Sequence, residues 1–256
     1  MRLEDPIKTP FRILIIVAHP DDAEFGVGGS AAVWSDAGAE VWYVIVTDGS
    51  AGSNQKDVDL KALVAQRQAE QRAAAQVLGV RNVIFLDYKD GMLQPTLELR
   101  RDLTRIIRQF RPDRVLIMDP TGVFFSSGDS EFTSFDYINH PDHRASGEAA
   151  LYAVFPSAET RPIFPELLEE GLEPHHVNEL YIMMSDKPNI GVDTTSGHER
   201  KVRALLEHKS QVDERVGDMI REWDAAGGRE IGVPYGETFR VMRFYSAPPE
   251  TETPAT

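Results

Sequence analysis

The feature that most limits the fold of this chain is an alternation. Short apolar runs, "RILIIVA" (12–18), "VWYVIVT" (41–47), "NVIFL" (82–86) and "RVLIM" (114–118), are separated by segments with helical spacing such as "DLKALVAQRQAEQRAAAQVLG". Strands that are apolar throughout must be covered on both faces, and helices that cross between them make neighbours parallel. The expectation is therefore an α/β fold, a Rossmann-like, mostly parallel sheet flanked by helices, in a single domain over residues 1–246. A helix from about His143 to Tyr152, a strand "ELYIMM", a long amphipathic helix from about Gly197 to Ala225 and a last strand "TFRVMRFY" complete it. The Pro/Thr-rich tail, 247–256, reads as disordered.

Composition narrows the function classes. The 256 residues, 41% hydrophobic, suffice for one large core. A formal net charge of −14, with no basic run, argues against nucleic acid or an anionic membrane as a partner. There are no cysteines, so a metal would have to be held by His, Asp or Glu. The start "MRLEDPIKTP" lacks an apolar leader, and no apolar run approaches the ~18 residues of a membrane span. The chain reads as a cytoplasmic protein with a small-molecule substrate, and the sequence leaves homo-oligomer formation open.

In open α/β sheets ligands bind beyond the carboxyl ends of the strands. The first strand runs into "AHPDD", which puts His19, Asp21 and Asp22 at such an end. A second segment, "NHPDHRASGEAA", repeats the His-Pro-Asp element with His140 and His143 where a long irregular stretch enters a helix. Each histidine alone would be an ordinary hydrogen-bonded residue, and Asp22 alone a helix cap. Two such elements on one face of the sheet instead suggest a metal site of two His and one carboxylate, with positions open to water or substrate. Pro20 and Pro141 stiffen the turns. His175, His176, His198 and His208 lack this setting and read as surface or structural.

"AHPDDAEFGVGG", "VIVTDGSAGS", "RQAEQRAAAQVLGV" and "HPDHRASGEA", with "HKSQ" and "GETF" further on, resemble the LmbE-like or PIG-L family of zinc-dependent N-acetylglucosaminyl deacetylases. The resemblance implies zinc ligands His19, Asp22 and His143, a general base Asp21, and His140 as an aid to the transition state. It further implies that Arg67 and Asp90 hold sugar hydroxyls. A tyrosine that some members place two residues before the second motif's first His is Ile138 here, with Tyr137 beside it. The implied reaction is removal of an acetyl group from an N-acetylated amino sugar. Zinc makes water a better nucleophile, Asp21 takes its proton, and His140 as imidazolium stabilises the oxyanion. Iron(II) or cobalt suits the same ligands.

Two rival readings share some of these residues. Gly26 to Ala31 fits G-x-G-x-x-A with Asp48 about 20 residues on, the dinucleotide-binding pattern. The charged "HPDDAEF" intervenes where pyrophosphate would sit, so packing of a helix on the sheet explains these glycines better. A two-His-one-carboxylate iron oxygenase uses the same ligand types, but Asp21 beside the ligands suits hydrolysis. A non-catalytic binding protein would leave the base and the open metal position without a purpose. Finally, residues 121–139 mix Phe124, Phe125, Phe132, Phe135 and Tyr137 with Ser and Gly, a composition for an apolar wall or lid over the site.

Overall fold

The computed structural model describes residues 1–126 and 136–244. The elements, in chain order, are β1 (Arg2–Leu3), β2 (Arg12–Val17), α1 (Asp22–Asp36), β3 (Glu40–Thr47), α2 (Leu60–Leu78), β4 (Asn82–Tyr88), α3 (Leu97–Phe110), β5 (Arg114–Met118), β6 (Phe124–Ser126), β7 (Asp136–Ile138), α4 (Pro141–Tyr152), α5 (Glu166–Glu169), β8 (Glu179–Met183), β9 (Ile190–Asp193), α6 (His198–Leu205), α7 (Val216–Ile231) and β10 (Gly236–Arg243). They form a single domain around an eight-stranded sheet of order β1-β9-β10-β8-β5-β2-β3-β4. Pairing is parallel from β8 through β5, β2 and β3 to β4, while β10 runs antiparallel to both β8 and β9.

Alternation along β2 divides the core. Ile13, Ile15 and Val17 pack on one face with α1 and α2, whereas Leu14 and Ile16 face α3 and α4 on the other. From β2 the chain winds outward through β3 to β4, then returns to place β5 on the other side of β2. The carboxyl ends of β2 and β5 therefore flank the switch point at which such sheets bind ligands.

The expected helix from about Gly197 to Ala225 is two helices. α6 stops at Leu205 because the following side chains leave the helical surface to bond elsewhere: His208 to Glu24, and Ser210 through both its N–H and its hydroxyl to Glu70. The glycines that fit a dinucleotide fingerprint lie inside α1. A Cβ on Gly28 would stand 3.0 Å from Cγ of Lys201, and one on Gly29 would stand 2.8 Å from Cβ of Thr194. Close packing accounts for them. Part of the expected aromatic wall is a two-stranded ribbon, β6 with β7, in which Phe124 and Ile138 are exposed. Phe132, Phe135 and the tail 247–256 lie outside the described residues. No helix among the described residues is long and apolar enough to cross a membrane.

Candidate metal and acid-base site

Asp21 is the first element of the site and the most strained. It stands at the amino end of α1 with φ 101° and ψ −30°, a region that costs a non-glycine residue ~1–3 kcal/mol and persists only where the surroundings enforce it. Its side chain makes no capping bond. Asp22, one residue on, turns back and accepts the backbone N–H of His19 at 2.7 Å. The two adjacent carboxylates therefore point to different partners, and neither caps the helix in the ordinary way.

At the other side of the site, Pro141 opens α4, and the His140 ring caps it by accepting the N–H of Asp142 at Nδ1, 3.2 Å away. His143, one turn in, places Nε2 3.1 Å from Asp22 Oδ1. Its Nδ1 lies 3.1 Å from the side-chain oxygen of Asn139, an acceptor, so Nδ1 carries a proton and Nε2 is the atom turned to Asp22. Similar logic fixes His19. Its Nε2 faces Asp90 Oδ1 at 3.1 Å and Asp142 Oδ2 at 3.3 Å, and must donate, while Nδ1 faces Asp22 Oδ2 at 3.3 Å. One potential ligand atom from each of His19, Asp22 and His143 thus falls within a 4.8 Å cluster.

A second such cluster, His19 with His140 and Asp142, also exists. Its atoms are already engaged: His140 Nδ1 by the helix cap, and the Asp142 oxygens by the N–H groups of Gly91 at 2.7 Å and Leu93 at 3.2 Å. The first cluster fits a divalent cation better. Its two imidazoles and one carboxylate suit zinc, iron(II) or cobalt. The surroundings call for positive charge: burial opposes a proton on His19, yet Asp22, Asp142 and Asp90 outweigh it and push the imidazole up to about 12.

The adjacent aspartates diverge electrostatically. Burial, then the charge of Asp22, raises Asp21 to about 7 against the opposing pull of Arg67, His208 and His19. Burial also works to raise Asp22, but His143 and His19 hold it well below the usual carboxylate range. Such divergence separates a proton acceptor poised near neutrality from a permanently ionised ligand. At His140 opposing influences meet. Burial and the positive charge of His19 and His143 outweigh Asp142 and Asp90 and lower it. With Nδ1 accepting an N–H, the ring is neutral and carries its proton on Nε2.

Arg67 and Asp90 are also brought here, each with protein partners of its own. Arg67 is 4% exposed and its Nη atoms donate to Gly49 O and Pro20 O, each at 2.8 Å, and to Asp21 Oδ2 at 3.3 Å. Only Nε lacks a protein partner, and the guanidinium braces Asp21 from beneath. Asp90 accepts the N–H of Ala51 at 2.9 Å besides facing His19. Sequence reasoning assigned no role to Asn139, Gln71 or Glu24. The one signal available was helical spacing, since Gln71 lies four residues after Arg67 on the same face of α2.

The chain is similar to known proteins along most of its length. The family described as GlcNAc-PI de-N-acetylase, PIG-L, matches residues 14–154. A diacetylchitobiose deacetylase of Thermococcus kodakarensis is 32% identical over 249 residues, covering 94% of this chain and 86% of the relative. A probable N-acetyl-α-D-glucosaminyl L-malate deacetylase of Bacillus anthracis is 25% identical, covering 85% of this chain and 89% of its own. The solved N,N'-diacetylchitobiose deacetylase of Pyrococcus horikoshii superposes with a TM-score of 0.82 at 34% identity, covering 94% of this chain and 87% of that one. The matched span includes both His-Pro-Asp elements, and the chain belongs to the PIG-L, or LmbE-like, family.

Proposed function

We propose that this protein is a zinc-dependent deacetylase that hydrolyses the acetamide of an N-acetylglucosamine-type sugar or conjugate. The observation that carries the reading is the division of labour between Asp21 and Asp22, one raised to about 7 and the other held down between two histidines. The activities named for the relatives support the same substrate class.

A divalent cation held by His19, Asp22 and His143 would supply a Lewis acid that lowers the pKa of water and polarises the acetamide carbonyl. Asp21 takes the proton of the attacking water as the new C–O bond forms. The neutral His140 ring donates its Nε2–H to the carbonyl oxygen where negative charge develops. Asp21 then returns the proton to the nitrogen as the C–N bond breaks, releasing acetate and a free amino sugar. Arg67 and Gln71 keep the base in place throughout. Asp90, beside His19, is the acceptor to which we assign a sugar hydroxyl.

The test is a screen of zinc-loaded protein against N-acetylglucosamine, N,N'-diacetylchitobiose and N-acetylglucosaminyl malate, read by acetate release and by the appearance of a primary amine. Acetate and amine in equal amounts from at least one of these support the reading. Absence of acetate release from all of them, by a protein shown to carry the metal, contradicts it.

A further inference from the structure

Three buried polar side chains lie behind Asp21 without touching the reacting centre. Glu24 and His208 are fully buried, and Gln71 is as well. They form a chain of hydrogen bonds that ends on the base. His208 Nε2 lies 3.2 Å from Glu24 Oε2, Gln71 Nε2 donates to both Glu24 oxygens at 2.9 and 3.1 Å, and Gln71 Oε1 accepts the backbone N–H of Asp21 at 2.9 Å.

The order of these bonds sets the direction of each group. A carboxylate can only accept, so Glu24 compels Gln71 to present its NH₂ on that side and its oxygen on the other. A flipped Gln71 would set C=O against the Glu24 carboxylate and NH₂ against the Asp21 N–H. His208 supplies a further donor to a carboxylate that has no access to water. It is held in turn by its neighbours: Ser210 N and Oγ bond Glu70 at 3.0 and 2.6 Å, and Gln211 Nε2 reaches Gly52 O at 3.3 Å. Arg67 fixes the peptide bearing the Asp21 N–H from its other edge, through Pro20 O. Both contacts fall on the one peptide unit that precedes the Asp21 Cα, Arg67 on its oxygen and Gln71 on its N–H, while on the other side the Asp21 carbonyl accepts the N–H of Phe25 at 3.1 Å, so the positive φ is held at both ends.

We propose that Gln71, Glu24 and His208 are positioning residues for the catalytic base, acting through the Asp21 backbone N–H to hold its carboxylate over the water and off the metal. The inference rests on the reading of Asp21 as general base. It also gives the "HKSQ" stretch a purpose that the fold does not require of it: the stretch closes the chain from α6 back onto α1 and α2.

The experiment is a double-mutant cycle on zinc-loaded protein with N,N'-diacetylchitobiose, measuring kcat, KM, bound zinc and Tm for Gln71→Leu, Asp21→Asn and the pair. Gln71→Leu should lower kcat by about 10²-fold, the scale of a misplacement of about 1 Å, with KM and zinc unchanged. In the Asp21→Asn background the same change should cost almost nothing, since there is no base left to position. An equal loss in both backgrounds overturns the positioning role while leaving Asp21 as base. Near-normal turnover of Asp21→Asn overturns the base, and the positioning role with it. If Gln71→Leu does not fold, the His208 pair decides. His208→Gln, which keeps a donor toward Glu24, should retain more kcat than His208→Leu, whose loss is about 10–100-fold. Equal losses in these two overturn the proposal.

Discussion

His140 does two jobs that a substitution can separate. Its Nδ1 caps α4 by accepting the Asp142 N–H, and its Nε2–H is the donor we assign to the developing oxyanion. His140→Ala removes both. Loss of a helix cap costs ~1 kcal/mol, which in a chain of this size lowers Tm by about 2–4 °C. Loss of one oxyanion donor costs about 10²–10³ in kcat. His140→Asn restores a good capping side chain, so its Tm should recover while kcat stays low. Zinc content should match the parent in both variants, because His140 is not a ligand. The pH behaviour follows from the sign of its shift. His140 is lowered, so the active neutral form is present above its folded pKa and is lost as pH falls through a value below the ordinary ~6.5. On this account the origin of any alkaline limb lies elsewhere than His140. The assay is kcat and kcat/KM for the parent and both variants across pH 5 to 10, with melts and metal analysis alongside. An alkaline limb that disappears in His140→Asn would show that the ring works as imidazolium, and loss of zinc would make it a ligand.

Other expectations follow from single contacts. Asp21→Asn should keep its zinc and lose about 10²–10⁴ in turnover. In the parent, kcat/KM should fall as pH drops through Asp21's pKa, at or below about 7, since a cation on Asp22 weakens the repulsion that raises it. Asn139→Ala frees the His143 Nδ1–H and should weaken zinc binding by about 10–100-fold in a chelator competition, whereas unchanged affinity would remove Asn139 from the account. Gly147→Ala would place a Cβ 2.3 Å from the Met118 carbonyl oxygen, where α4 crosses β5. Overpacking of that kind costs ~1–3 kcal/mol, so its Tm should fall by several degrees, and an unchanged melt would mean that α4 is not seated as described.

The parts of this site that a reader of the sequence can find are those made from neighbours in the chain. His19, Asp21 and Asp22 share one turn, and His140 and His143 another, so each motif shows itself locally. The parallel sheet was equally legible, because β2, β3, β4 and β5 are dense apolar runs. The missing pieces depend on long separations. Asp142 is oriented by the N–H of Gly91, 51 residues away, and Glu24 meets His208 across 184 residues. β9 is four residues, "IGVD", whose Gly and Asp read as loop; it becomes a strand because β10 and β1 bond to it on either side. The break between α6 and α7 was hidden for a related reason. Helical spacing continues through "HKSQ", and only the carboxylates of Glu24 and Glu70, supplied by other helices, draw that segment out of the helix. The balance at His140 was hidden as well: Asp142, its neighbour in sequence, favours the charged ring, while the opposing influences come from burial and from His19, 121 residues away.

Metal content is the most direct measurement of the whole account. Zinc bound per chain should be determined by emission spectrometry, with affinity from chelator competition, for the parent and for His19→Ala, Asp22→Ala and His143→Ala. The account predicts stoichiometric zinc in the parent and its loss in each variant, with Asp21→Asn retaining it. Zinc retained at unchanged affinity in the three ligand variants would contradict the site.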